Sequence, residues 1–137
     1  MGMYTRFCLQ VTFKETLPSD ILEVLRCLLS GTNFKEPDHP FFKSDRYWAI
    51  ARCSSAYHDW INCATICEAS HDPNIKWISI VSDLKNYSNE IEMFCDWIAP
   101  YVETEELAGY KRYEENDLPT LLFFNNGKSI WKEIILK

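Results

Sequence analysis

YTRFCLQVTFKETLPSDILEVLRCLLSG, residues 4–31, is the stretch on which the fold turns. Its first ten residues alternate, so that Phe7, Leu9, Val11 and Phe13 share one face of a half-buried strand. The period then changes. Pro18, Ser19 and Asp20 supply helix-start chemistry, and Ile21, Val24, Leu25 and Leu28 follow at helical spacing. Gly31 stands where a left-handed C-cap stops the helix. A strand running directly into an amphipathic helix is the opening of an α+β domain.

Working outward, residues 47–53 read as a second strand. Residues 57–69 are ambiguous and lean towards a strand, because Asp72-Pro73-Asn74 resembles a hairpin turn into an apolar run at 75–81. A second helix is the clearest element. Ser88 is placed to cap it, and Glu90 and Glu92 complement the positive end of its dipole. Ile91, Phe94, Cys95 and Ile98 form its apolar stripe, and Pro100 ends it at Ala99. Residues 109–114 read as a strand, and 121–124 with 130–136 as a hairpin about Asn125-Asn126-Gly127-Lys128. No repeat or linker interrupts the chain, so residues 1–137 are expected to form a single domain. The expected fold is α+β: a single antiparallel sheet with two helices on one face, in ferredoxin-like order with an extra C-terminal hairpin.

Charge is unevenly spread. Between Asp83 and Asp117 ten carboxylates face only Lys85, Lys111 and Arg112, a balance of −7, whereas the rest of the chain carries +1 of the net −6. Such asymmetry steers basic partners in and keeps polyanions out. The aromatic share, 15%, exceeds what a core of this size needs, so some rings should reach the surface and favour interfaces. The N-terminus has no basic region ahead of an apolar run, Arg6 stands where a myristoylation signal wants Ser or Thr, and no apolar run approaches a membrane span. Cys8, Cys27, Cys53 and Cys95 sit inside apolar patterns, and with Cys63 and Cys67 they read as reduced thiols. The expected setting is cytoplasmic, away from membranes.

Candidate chemistry is thin. Cys63-x3-Cys67-x3-His71, with His58, is the nearest thing to a metal motif, but on a strand its ends would lie ~26 Å apart. No metal is therefore expected. Asp38-His39, His58-Asp59 and His71-Asp72 are adjacent pairs, which point to opposite sides of an extended chain instead of orienting one another. The glycines never cluster into a phosphate loop, and no serine elbow is present, so no cofactor is expected. Tyr110-Lys111-Arg112-Tyr113 mixes bases with aromatics, yet Glu114, Glu115 and Asp117 surround it, which argues against nucleic acid.

Leu84-Lys85-Asn86-Tyr87-x-x-Glu90-Ile91-x-x-Phe94-x-x-Trp97-Ile98-x-Pro100-Tyr101 and, further on, Gly109-Tyr110-x-x-Tyr113-Glu114-Glu115-x-x-x-Pro119-Thr120 resemble a group of small uncharacterised bacterial and phage proteins. The resemblance covers about the C-terminal half. It implies a bacterial or phage origin and no mechanism.

The leading expectation is a non-enzymatic domain that presents an acidic face to a basic protein, immunity- or inhibitor-like by analogy. Glu90, Glu92, Asp96 and Glu114 would supply charge, and Trp97, Tyr101, Tyr110 and Tyr113 the anchors. One alternative is a small enzyme with a Cys–His or His–carboxylate site. Another is a homo-oligomeric structural protein that buries its surplus aromatics against itself.

Overall fold

A computed structural model describes residues 4–53 and 63–137. Strand β1, Thr5–Thr12, lies at the centre of a six-stranded sheet ordered β2-β3-β1-β4-β5-β6. The others are β2 (Ala64–Ala69), β3 (Asp72–Leu84), β4 (Gly109–Tyr113), β5 (Thr120–Asn125) and β6 (Lys128–Glu133). Every pairing is antiparallel. Helix α1 (Ser19–Ser30) and short α2 (Ala49–Arg52) lie between β1 and β2 in the chain, and α3 (Glu90–Ile98) between β3 and β4.

Alternation in β1 produces the predicted two-sided strand. Phe7, Leu9, Val11 and Phe13 are buried, whereas Arg6, Cys8, Gln10 and Thr12 are half-buried or exposed. Register carries that division across the sheet: Leu9 faces Ile80 and Gly109, and Cys8 faces Val81 and Tyr110. The Phe7 side joins Leu25, Leu28, Ile50, Ile91, Phe94 and Ile98 in one apolar cluster. The opposite side carries Cys8, Val81, Tyr110, Leu121 and Phe123, all half-buried.

Some local readings change. Residues 47–53 are not a strand: Ala49, Ile50 and Ala51 are consecutively buried in α2, a pattern impossible for a strand with one open face. The hydroxyl of Ser82, itself fully buried, lies 3.0 Å from the Ala49 carbonyl and 2.9 Å from that of Cys53, fastening this helix under β3. Nor does Ser88 cap α3. Asn89 holds the N-cap position in left-handed geometry, and Asn86 supplies the bond, its Oδ1 accepting the Ile91 N–H at 2.9 Å. Of the stretch read as 57–69, Ala64–Ala69 is strand and residues 57–62 lie outside the described ones.

Asp72-Pro73-Asn74 is not the turn either: these residues begin β3, and the turn from β2 falls at Ser70 and His71, while the ends of α1 and α3 and the last hairpin turn stand as expected. Gly31 caps α1 at φ 80°, and α3 ends at Ile98 before a 3-10 turn at Ala99–Tyr101. Asn126 and Gly127, at φ 51° and 72°, make the hairpin turn between β5 and β6, as positive φ at both central residues requires. Among the described residues, no helix is long and apolar enough to cross a membrane.

Candidate functional site

Three different fates await the acidic segment once it folds. Its middle is neutralised or buried. Asp83 Oδ1 pairs with Arg6 Nε at 3.1 Å, and Glu92 Oε1 with Lys111 Nζ at 2.6 Å. Lys111 also sits 4.4 Å from the Trp131 ring centroid, and Asn86 Nδ2 donates to the Glu92 carboxylate. Glu90 is only 3% exposed. Asp96 alone in this part faces solvent, where it accepts the Ser129 hydroxyl at 2.6 Å.

The remaining carboxylates separate to opposite ends of β1. Glu103 bonds back to Thr12, and Glu103 and Glu105 line a cleft with Glu15 and Lys14. Glu114 bonds back to Tyr4, about 26 Å away at ~3.3 Å per residue along the strand. One continuous acidic face does not form from these residues.

Expected anchors divide in the same way. Trp97 is 5% exposed: its ring lies 4.8 Å from Phe42 and stacks 6.0 Å from Phe41, so it belongs to the core. The 3-10 turn at Pro40–Lys43 brings those two phenylalanines beneath α3, which residue spacing within α3 gives no means of foreseeing. Tyr101 is half-buried beyond the same helix, and Tyr110 of β4 sits directly opposite Cys8 of β1. A hydrogen bond with the Cys8 thiol, then burial, push the Tyr110 phenol up. Tyr113 remains at the surface.

Around Tyr113 the fold assembles a cluster that the sequence reading only partly named. Tyr4, Tyr87 and Trp48 are exposed, Tyr87 at 71%. Tyr4 and Glu114 clasp one another, the Tyr4 N–H donating to Glu114 Oε2 at 3.2 Å and the Glu114 N–H to the Tyr4 carbonyl at 3.0 Å. Lys85 Nζ lies 5.5 Å from the Tyr4 ring centroid and 5.8 Å from that of Tyr87, within cation–π range of both. Partial burial raises the Tyr113 pKa, and so does the negative charge of Glu115 and Glu114.

Tyr87 rides on a tied loop. Asn86 and Asn89 both have positive φ, a conformation asparagine tolerates better than most residues. The Asn89 N–H donates to the Asn86 carbonyl, the Ser88 N–H to Glu90 Oε2, and the Ile91 N–H to the Asn86 side chain. A large exposed ring on a loop fixed by its own bonds loses little freedom when it docks. Beneath it lies a cleft of about 310 Å³, lined by Tyr4, Asp45, Arg46, Trp48, Leu84, Lys85, Tyr87 and Glu90 among others.

Chemistry of other kinds finds weaker footing. Burial pushes the Cys8, Cys53, Cys63 and Cys95 thiols up, Cys95 furthest, and partial burial with Glu23 does so for Cys27. His39 Nδ1 accepts the Phe41 N–H, and burial lowers the pKa of the ring. Cys63 donates to the Ala51 carbonyl, Cys67 lies within β2, and His71 follows in the turn. Among the described residues, no group of three or more His, Cys, Asp or Glu side chains is placed to hold a metal; His58 lies outside them.

Tyr4, Trp48, Lys85 and Tyr87 escaped the sequence reading. Tyr4 read as part of a strand and Trp48 as part of another, and only the fold sets them beside the loop before α3. The signal for Tyr87 was present: an aromatic flanked by Asn86 and Asn89 ahead of a helix start. No family model matches the chain, and no curated protein or solved structure matches it either.

Proposed function

We propose that this is a non-enzymatic protein-binding domain that docks a basic protein through the tyrosine-rich end of its sheet. One observation carries the reading. Tyr4, Tyr87 and Tyr113 are exposed together beside Glu114 and Glu115, so aromatic area and negative charge coincide. Rings supply the short-range affinity of an interface, and the surrounding carboxylates steer a basic partner and set its register. The raised thiols weigh against a cysteine nucleophile, since the thiolate is the reactive form. Free cysteines support a cytoplasmic setting, and a bacterial or phage origin rests on the resemblance of residues 84–120 alone.

The test is charge reversal where the charge is exposed. Glu114→Lys, Glu115→Lys and Asp117→Lys together should slow association by about tenfold and flatten its salt dependence without unfolding the domain. Unchanged association in stopped-flow or surface-binding kinetics would overturn the reading. Glu90 and Glu92 are unsuited to that test because one is buried and the other is bound to Lys111.

The ferredoxin-like reading of the first four strands is supported by their order, β2-β3-β1-β4, with helices falling between β1 and β2 and between β3 and β4. The hairpin β5–β6 then extends the β4 edge. Self-association is the second reading, favoured by the half-buried Val81, Leu121 and Phe123 on the opposite side of the sheet from the helices. Light-scattering mass at rising concentration tests it, and a constant monomer mass removes it.

A further inference from the structure

Glu90 is a carboxylate withdrawn from water with little to hold it. It is 3% exposed, its Oε2 accepts the Ser88 backbone N–H at 3.2 Å, and no cationic side chain among the described residues forms an ion pair with it. Burying a charge is unfavourable unless opposite charge or several hydrogen bonds compensate it. Its place at the start of α3 gives it part of that compensation through the helix dipole. The rest of its surroundings is a cleft lined by several aromatic side chains.

The cleft that Glu90 lines has buried Ala49 and Leu84 on its inner wall and exposed Tyr4, Trp48 and Tyr87 at its rim. Aromatic faces attract ammonium and guanidinium groups, and a carboxylate among such faces completes a cation site. Two of these rings already take a cation, because Lys85 stands within 6 Å of both Tyr4 and Tyr87. Arg46 and Lys85 balance Asp45 and Glu90 in the lining, but Arg46 is exposed and Lys85 is engaged by the rings. Of the two acids in the lining, Asp45 is exposed and Glu90 is buried, and Glu90 is the one placed to pair with a group from outside.

We propose that this cleft receives one lysine or arginine side chain of the partner, its charge paired with Glu90 and its stem packed against Trp48 and Tyr87. This rests on the protein-binding reading and names the chemistry of the contact. The aromatic lining suits an alkylammonium or guanidinium group and offers few of the oxygen ligands that a hard metal ion needs.

The full chain is titrated with Nα-acetyl-lysine methylamide, Nα-acetyl-arginine methylamide and the neutral Nα-acetyl-norleucine methylamide. The readout is the Trp48 indole N–H resonance, assigned with a Trp48→Phe variant. Saturable shifts with the two cations, absent with norleucine, are expected. Glu90→Gln keeps an acceptor for the Ser88 N–H and should weaken the response about tenfold. Tyr87→Ala, on an exposed ring, should weaken it severalfold and serves even if the buried substitution unfolds the domain. No saturable shift with either cation, or undiminished binding in both variants, overturns the proposal. Slower partner association after reversal of Glu114, Glu115 and Asp117, combined with a silent Trp48 resonance, would overturn the cleft assignment alone and leave the broader reading standing.

Discussion

Gly109 is where two strands meet with no room for a side chain. A Cβ built there would lie 1.9 Å from the Cys8 carbonyl oxygen, a backbone atom that cannot swing away. Gly109→Ala is therefore expected to destabilise the domain by about 3 kcal/mol, read as a lower urea midpoint. Cys95 makes a pH prediction of the same local kind. Its folded pKa lies well above the ordinary thiol value because the side chain is buried, with Glu92 and Asp96 adding to the effect. The unfolded chain then loses this proton first as pH rises, so it binds fewer protons than the native state and stability falls with pH. Stability from this residue is fully present below about pH 8.5 and declines above it. Cys95→Ala should flatten that alkaline decline in denaturant midpoints measured from pH 7 to 10. A decline of equal slope would assign it to other groups.

At the scale of elements, the loop between β3 and α3 does two jobs with one residue. Asn86 takes a left-handed φ of 52°, caps Ile91 and contacts Glu92. Asn86→Gly keeps the backbone freedom and loses the side-chain bonds, so it should cost about 1 kcal/mol. Asn86→Ala loses both, and about 2 kcal/mol is expected by chemical denaturation. Equal effects would mean that the backbone conformation contributes nothing. Elements with a strong period were legible in sequence: β1 by alternation, α1 and α3 by their stripes, and the β5–β6 hairpin by Asn126-Gly127. Element α2 was not, because a buried run of Ala49, Ile50 and Ala51 has no period to distinguish strand from helix. The cap of α3 was missed for a related reason. Sequence places Ser88 two residues before the helix, whereas the bonding oxygen comes from Asn86 through a turn that only tertiary structure fixes.

For the whole molecule, the instructive loss is the acidic face. Charge that looks contiguous over residues 83–117 is divided by folding among ion pairs, a buried site and the two ends of a strand. Linear density of charge carries no information about which groups acquire partners, so the exposed end at Glu114 could not be told from the neutralised middle. What survives is smaller and better organised: three exposed tyrosines and a tryptophan, a bonded loop, and carboxylates beside them. Docking of a basic protein at this end is the proposal to be tested. The most direct measurement is capture from lysate of the source organism by three proteins in parallel: the wild type, Tyr87→Ala, and the Glu114→Lys, Glu115→Lys, Asp117→Lys variant. Columns are washed at stepped salt and eluates identified by mass spectrometry. One stoichiometric basic protein, released from the wild type by rising salt and depleted from both variants, is the predicted result. An empty wild-type eluate, or a partner retained equally by all three, would overturn docking of a basic protein at this end.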